Sequence, residues 1–268
     1  MWDFEHAPNA ALLGQRYSLH ITLPSECAAE LAAGRADIGL IPVAAYATTP
    51  GLAIVPGCAI ASLHQVRSIL LVVKHPGGLD AVRTVAADTS SRSSLVYAEI
   101  LFRKFLQRAP EFIPHAPDIE PMLQHADAAL LIGDPALLAR EARPQIEERA
   151  GCNYQWIDLA EEWHTRTGLP WVAAFWAVQP ASLARCGVTP AQLVQDMQLS
   201  RDHGLAHIDD LVREWTPRIA IPPATIRTYL TRNIHYMLDD TCLAALDLFY
   251  RYAAECNALP SAPALRLL

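Results

Sequence analysis

The chain carries few of the signatures from which a function is usually read. Its six cysteines, Cys27, Cys58, Cys152, Cys186, Cys242 and Cys256, form no C-x-x-C pair and follow no regular spacing, the pattern of reduced, mostly buried thiols. Positive charge is scarce, with 21 Lys and Arg against 28 Asp and Glu for a net charge of −7. A nucleic-acid partner would need a basic face, and none is offered. No apolar run approaches the length of about 20 residues that a membrane helix requires. Met1 to His6 has no basic stretch leading into an apolar one, so it does not read as a secretory signal. A soluble, cytoplasmic protein is expected. G-x-G-x-x-G, Walker, G-x-S-x-G and H-E-x-x-H motifs are absent, which leaves nucleotide, serine-hydrolase and zincin readings without support.

What is present is a long alternation of strand and helix signals. At 268 residues, 52% apolar and 18% charged, the chain has the size of one large or two ordinary α/β domains. Ser18 to Leu23 alternates as a strand. A helix is expected from Pro24 to Ala33, with Gly34 as its stop. Strands follow at Ala36 to Ile41, Leu52 to Ala61, Ser68 to Val73, Thr84 to Ala87, Phe112 and Ile113, Ala126 to Ile132, Tyr154 to Leu159 and Trp171 to Val178. A helix is expected over Ser91 to Gln107. Beyond Pro180 the pattern turns helical, with Ala181 to Gly187, Thr189 to His203, Ile208 to Glu214, Pro222 to Tyr236 and Thr241 to Cys256. The strands at Ser68 and Trp171 bracket a self-contained α/β segment, which implies one lobe inserted into another. The boundaries read as 1–70 with 176–268 for the first lobe and 71–175 for the second. Ligands of such folds bind in the cleft, beyond the carboxyl ends of the strands.

Two strand ends carry candidate chemistry. The run Asp88-Thr89-Ser90-Ser91-Arg92-Ser93-Ser94 is polar throughout and stands between a buried strand and a helix. A helix start leaves N–H groups unpaired and carries partial positive charge, so hydroxyls and an arginine there suit a carboxylate or phosphate. The structural alternative is a plain N-cap. In I-G-D-P-A, Gly133 suits a backbone that approaches a ligand, and Asp134 either accepts from a hydroxyl or caps the next helix ahead of Pro135. His203 and His207 have metal-ligand spacing, but Gly204 between them favours a solvated helix end over a metal site. Asp158, Glu161 and Glu162 read as a charged helix opening. Trp156, Trp163, Trp171 and Trp176 read as core and hinge packing.

Four segments in order, Gly34 to Val43 (GRADIGLIPV), Asp88 to Ser94 (DTSSRSS), Ala129 to Leu137 (ALLIGDPAL) and Thr167 to Ala177 (TGLPWVAAFWA), closely resemble the MqnA family of chorismate dehydratases in menaquinone biosynthesis by the futalosine route. Val66 to Leu71, Asp158 to Trp163 and the tail around Tyr229 to Tyr236 extend the likeness. The resemblance implies a periplasmic-binding-protein type II fold, two α/β lobes closing on a ligand, with a helical C-terminal tail. It implies a carbon–oxygen lyase that converts the dicarboxylate chorismate to 3-[(1-carboxyvinyl)oxy]benzoate and water with no metal or organic cofactor. Carried onto this chain, Thr89, Ser90, Ser91, Arg92 and Ser93 would hold a carboxylate. Pro42, Val43 and Ser62 would line the other lobe, and Gly133 and Asp134 would close the cleft. Ser91 and Asp134 are the polar groups that could contribute to catalysis, with no evident protein base.

The alternatives on the same scaffold are the 1,4-dihydroxy-6-naphthoate synthase of the same route, whose motif and catalytic histidine are not recognisable here, and a non-catalytic small-anion-binding protein. No membrane or nucleic-acid partner is expected, and the assembly expected is a monomer or weak homodimer. Members of this family begin with a further strand ahead of the segment matching Met1 to His6, between Ser18–Leu23 and Ala36–Ile41. A longer reading frame is therefore expected, or else a crippled chain.

Overall fold

The computed structural model describes residues 1–74 and 76–268, which form two sheets flanked by helices. The strands are β1 (Ile38–Pro42), β2 (Ala53–Ser62), β3 (Ile69–Val73), β4 (Thr84–Ala87), β5 (Glu111–Pro114), β6 (Ala128–Ile132), β7 (Gln155–Asp158) and β8 (Trp171–Val178). One sheet is antiparallel in the order β1-β8-β2. The other runs β5-β4-β6-β3-β7, with β4 parallel to β5 and β6, and β3 antiparallel to β6 and β7. The unbroken run Ile-Leu-Leu-Val-Val of β3 lies between two strands with every residue buried, as a strand covered on both faces must.

The helices are α1 (Trp2–Glu5), α2 (Asn9–Leu13), α3 (Pro24–Ala32), α4 (Val43–Tyr46), α5 (Arg92–Ile100), α6 (Ile119–His125), α7 (Asp134–Glu141), α8 (Arg143–Ala150), α9 (Leu159–Thr167), α10 (Pro180–Cys186), α11 (Pro190–Ala206), α12 (Ile208–Trp215), α13 (Pro223–Thr228) and α14 (Asp240–Glu255). Local chemistry sets their ends. The Asp158 carboxylate accepts from the N–H groups of Ala160 and Glu161 to start α9, and Gly168 at φ 71° stops it. Thr189 caps α11 ahead of Pro190, accepting from the Gln192 N–H at 3.2 Å. The largest apolar cluster runs through both lobes. In it the Tyr97 ring of α5 packs on Trp163, Trp171 and Phe249.

The chain leaves the first sheet at Ser62, enters the second at Ile69 and returns between Gly168 and Trp171. All five strands of the second sheet therefore lie between Ile69 and Asp158. Ile69 and Leu70 belong to the second sheet, and Trp171 to Phe175, placed in the inserted lobe by the sequence, belong to β8 of the first. A strand joins whichever sheet pairs its backbone, and apolar composition does not reveal that choice.

Ser18 to Leu23 forms no strand. Its chain is irregular, and Leu19, Ile21 and Leu23 are 44%, 77% and 61% exposed. Alternation makes a strand only where a ladder partner exists, and β1 is an edge strand whose one partner is β8. The Gln179 N–H donates to the Asp37 carbonyl at 2.9 Å, so residues 37, 39 and 41 face β8 while the backbone groups of Ile38 and Leu40 point outward. Two expected long helices also end early. The first closes at Ile100 and continues as a π turn, Leu101–Phe105, and the second passes from α13 into the π turn Tyr229–Asn233. Helix gives way there because the His235 N–H and C=O pair with the C=O and N–H of Ala61 at 2.7 and 2.9 Å.

Candidate functional site

Sheet register places the candidate residues on two facing edges. In the second sheet, Ala87 pairs with Leu130 and Ile69 with Ile132. The ends of β4 and β6 and the start of β3 therefore share one edge, which carries Asp88 to Ser93, Gly133, Asp134, Arg67 and Ser68. In the first sheet, Pro42 pairs with Ala174 and Ser62 with Trp171, so the ends of β1 and β2 and the start of β8 share another. The crossovers 63–68 and 168–170 join the two edges.

The two helix starts on these edges touch. Ser93 is buried, and its Oγ accepts from the Ala44 N–H of α4 at 3.0 Å. This joins Pro42 and Val43 to the start of α5 across the lobes. Ser91 is the N-cap of α5, its Oγ accepting from the Ser94 N–H at 3.4 Å and lying 3.1 Å from Ser94 Oγ. Thr89 and Ser90 form an exposed turn in which the Ser90 N–H donates to Asp88 Oδ1 at 2.9 Å. Arg92 is exposed and has no ion pair or hydrogen bond among the described residues. The serines thus divide between capping and bridging, and Arg92 is left as the free cation of the group.

Gly133, at φ 68° and ψ −139°, is itself the N-cap of α7, and a Cβ placed on it would meet nothing within 4 Å. This turn needs glycine, because a side chain is strained at that φ. Asp134 does not cap the helix; the turn starts α7 at Asp134, one residue beyond the capping position, where its exposed carboxylate still faces the positive end of the dipole. The Gly133 N–H donates to the Ser68 carbonyl at 2.7 Å, and the Tyr229 hydroxyl donates to Ser68 Oγ at 3.1 Å. Burial raises the Tyr229 phenol above its ordinary value, with the field of Asp134 adding to it. Tyr229 opens one of the two π turns, a distortion that often marks functional segments.

Several buried polar atoms near these edges have no partner among the described residues: Ser62 Oγ, Trp171 Nε1, Asn233 Oδ1 and Arg67 Nε. Ser62 and Trp171 are opposite each other on β2 and β8, so their side chains share one face. That face meets α5, since the Trp171 ring lies 5.2 Å from that of Tyr97. A buried polar group without a partner costs about 1–3 kcal/mol, and natural folds keep few of them. Arg67, at φ 66°, donates its N–H to Asp158 Oδ2 at 2.6 Å, and its guanidinium lies 3.6 Å from Glu141. Asp158 is therefore more than a helix opening: it also takes the Val66 N–H and stands 3.8 Å from Arg140. Burial raises its carboxyl against the N–H groups of Arg67, Val66 and Glu161 and the charge of Arg140, while burial and then the nearby Arg67 lower Arg140.

Ser68, Tyr229 and Asn233, which sequence reading did not single out, stand near the same edges, and so does Trp171, read mainly as core and hinge packing. The V-R-S segment and the tail around Tyr229 contained the available signal. His203 and His207 do not form a joint site: His203 Nδ1 meets the Asp3 carboxylate at 2.7 Å, and His207 stacks on Trp2 with centroids 4.4 Å apart. Helix α11 runs through Gly204, whose bare Cα admits Trp2 Cβ, so α1 covers one side of this helix end while Leu205, Ala206 and His207 stay exposed. A surface hollow of about 540 Å³ lies away from both edges, lined by Pro56, Gln198 and Leu268.

A family model described as menaquinone biosynthesis matches residues 2–255. The chain is 29% identical over 250 residues to a chorismate dehydratase of Thermus thermophilus, covering 90% of this chain and 87% of that one. Among solved structures, a protein from Archaeoglobus fulgidus superposes with a TM-score of 0.67 at 16% identity, covering 96% of this chain and 92% of the other. The periplasmic aliphatic sulphonate-binding protein SsuA of Escherichia coli gives 0.60 at 16% identity, with coverages of 94% and 88%. The alkanesulfonate-binding SsuA of Xanthomonas axonopodis pv. citri, bound to MOPS, gives 0.59 at 16%, with coverages of 97% and 92%. The fold is that of the periplasmic binding proteins. No helix of the described residues is long and apolar enough to cross a membrane.

Proposed function

The chain belongs to the menaquinone-biosynthesis family, and on that premise we propose that it is a chorismate dehydratase, a hydro-lyase forming 3-[(1-carboxyvinyl)oxy]benzoate and water. The observation that carries the reading is the Ser93–Ala44 bridge, which sets two helix starts against each other with Arg92 unpaired beside them. Helix starts and a free guanidinium suit a carboxylate, and chorismate has two. The dehydratase relative and the sulfonate-binding neighbours support the same direction, toward a small organic anion.

In this reading Arg92, Ser91 and the first-turn N–H groups of α5 hold one carboxylate, and Ser62 with the Trp171 indole N–H takes an oxygen of the ring substrate from the opposite edge. The reaction removes one ring proton and one hydroxide, which leave together as water while the ring becomes aromatic. Aromatisation supplies driving force, so holding the substrate in a dry, oriented state covers much of the barrier. Asp88 is tied to the Ser90 N–H and Asp134 is exposed, and no histidine stands at either helix start. In this reading the substrate's own enolpyruvyl carboxylate serves as the proton acceptor, as the resemblance to the chorismate dehydratases allows. The test is to incubate the purified chain with chorismate and follow loss of substrate against appearance of the aromatic ether. Turnover with EDTA present is the expected result, and no turnover with or without added metal rejects the reading.

A further inference from the structure

Three different ligand-bearing side chains meet where the tail passes from β2 into the last helix. His235 sits opposite Ala61, Asp239 is the N-cap of α14, and Cys242 occupies the first turn of that helix. One ligand atom from each lies within 4.8 Å of the other two. We propose that His235, Asp239 and Cys242 form a binding site for a thiophilic divalent cation of the zinc or cobalt class, separate from the proposed dehydration.

The spacing i, i+4, i+7 lets one short turn supply an imidazole, a carboxylate and a thiol, the donor set such ions prefer. The carboxylate is already oriented. Asp239 Oδ1 accepts from the Thr241 hydroxyl at 2.6 Å and the Cys242 N–H at 2.9 Å, which leaves Oδ2 to meet His235 Nε2 at 3.0 Å. Fixed ligands of this kind are what metal sites obtain from their surroundings. Cys242 is fully buried, and its thiol faces the Met237 carbonyl at 3.6 Å. On binding, the thiol proton leaves to solvent and sulfur gives its electron pair to the ion. In the metal-free chain His235 Nε2–H donates to Asp239 Oδ2; on binding, the imidazole proton passes to Nδ1, Nε2 faces the ion, and water completes a tetrahedron. Affinity therefore rises with pH. His235 and Ala61 share a face of β2, the one opposite Ser62, so the ion would pin the tail to β2 without entering the cleft.

The experiment titrates Co²⁺ into the reduced 268-residue chain and reads the thiolate-to-cobalt charge-transfer band, then displaces it with Zn²⁺. One equivalent per chain is expected, with a higher melting temperature in Zn²⁺. Cys242→Ala should abolish the band, and His235→Gln, at a half-exposed position that the fold can spare, should weaken binding at least tenfold. A Cys152→Ser, Cys186→Ser double variant, which removes the two exposed thiols, should retain both. No band in the wild type at millimolar metal overturns the proposal. So does a band that survives Cys242→Ala, affinity unchanged in His235→Gln, or a band lost with the exposed cysteines.

Discussion

At the scale of single residues, the informative groups are those the fold leaves unsatisfied. Ser62 Oγ and Trp171 Nε1 are buried without a protein partner, and a site needs such atoms while a core does not. Ser62→Ala removes the first with little change of shape, whereas Trp171→Phe removes the second but leaves a cavity in the core. When ligand-free, Ser62→Ala should melt at or above the wild-type temperature, since an unpaired buried group costs about 1–3 kcal/mol, and Trp171→Phe should melt below it because lost ring packing outweighs the relieved N–H. Both should lose about tenfold or more in kcat/KM for chorismate, read beside a thermal melt. Equal activity would make the atoms a flaw of packing. Arg92 differs in having nothing to lose structurally. Arg92→Ala should leave melting within about 0.5 kcal/mol of wild type, as for an ordinary surface change. It should cost about 1.5–3 kcal/mol of transition-state binding, the usual worth of a hydrogen bond to a charge and roughly 10- to 150-fold in kcat/KM. The sequence made Arg92 and Ser91 visible because a helix start advertises itself in local composition. It could not separate Ser93 from Ser91, since the partner that distinguishes them, Ala44, is 49 residues away.

At the scale of elements, type was more legible than extent. Thr84–Ala87 and Trp171–Val178 were read to the residue, because short apolar runs bounded by turns or charge have one natural reading. The π turns at Leu101–Phe105 and Tyr229–Asn233 leave no periodic trace over so few residues, and α1 and α2 are too short to show a face. Yet α1 is held by chemistry that makes it sensitive to pH. Trp2 stacks on His6 with centroids 3.7 Å apart, His6 Nε2 meets Glu214 at 2.7 Å, and the buried Asp3 donates its N–H to Ser200 Oγ while its carboxylate meets His203. Burial lowers the His6 pKa, but hydrogen bonds to Glu214 and the Trp2 carbonyl outweigh it, and the net shift is upward. A raised histidine pKa stabilises the folded state fully below the unfolded value of about 6.5 and ceases to do so as pH climbs through the folded value. Amide exchange in α1 should therefore quicken relative to α11 as pH rises through that window, after correction for intrinsic rates. His6→Gln should remove the difference. An α1 whose protection does not change with pH would place its anchoring in Trp2 alone.

At the scale of the whole molecule, two lobes and a cleft followed from the bracketing strands, but which strand closes which sheet did not. Pairing joins residues far apart in sequence, and the one-dimensional pattern of Ser18 to Leu23 is a strand's pattern whether or not a partner waits for it. The consequence is an edge on β1 that pairs with no second strand, beside exposed apolar side chains at Leu12, Leu19, Ile21 and Leu23. Natural sheets protect such edges with lysine, proline or a covering element. Here α3 packs on β1, its Cys27 thiol meeting the Leu40 backbone, and Pro42 ends the strand, so the edge is partly covered, while neither β1 nor Ser18 to Leu23 contains a lysine. What stays exposed there is apolar and self-complementary, because two copies related by a twofold axis can bring the same patch together. The chain should therefore self-associate weakly and reversibly, its weight-average sedimentation coefficient rising with concentration in the micromolar range and the rise little affected by salt, as apolar contacts require. Ile21→Lys and Leu40→Lys should each flatten that rise while leaving the secondary structure unchanged, since a charge at an edge is costly to cover. A concentration-independent monomer would show that this edge is protected by means other than side-chain chemistry. Association that persists in both variants would move the contact to another face, and the edge of β1 would then have no part in assembly.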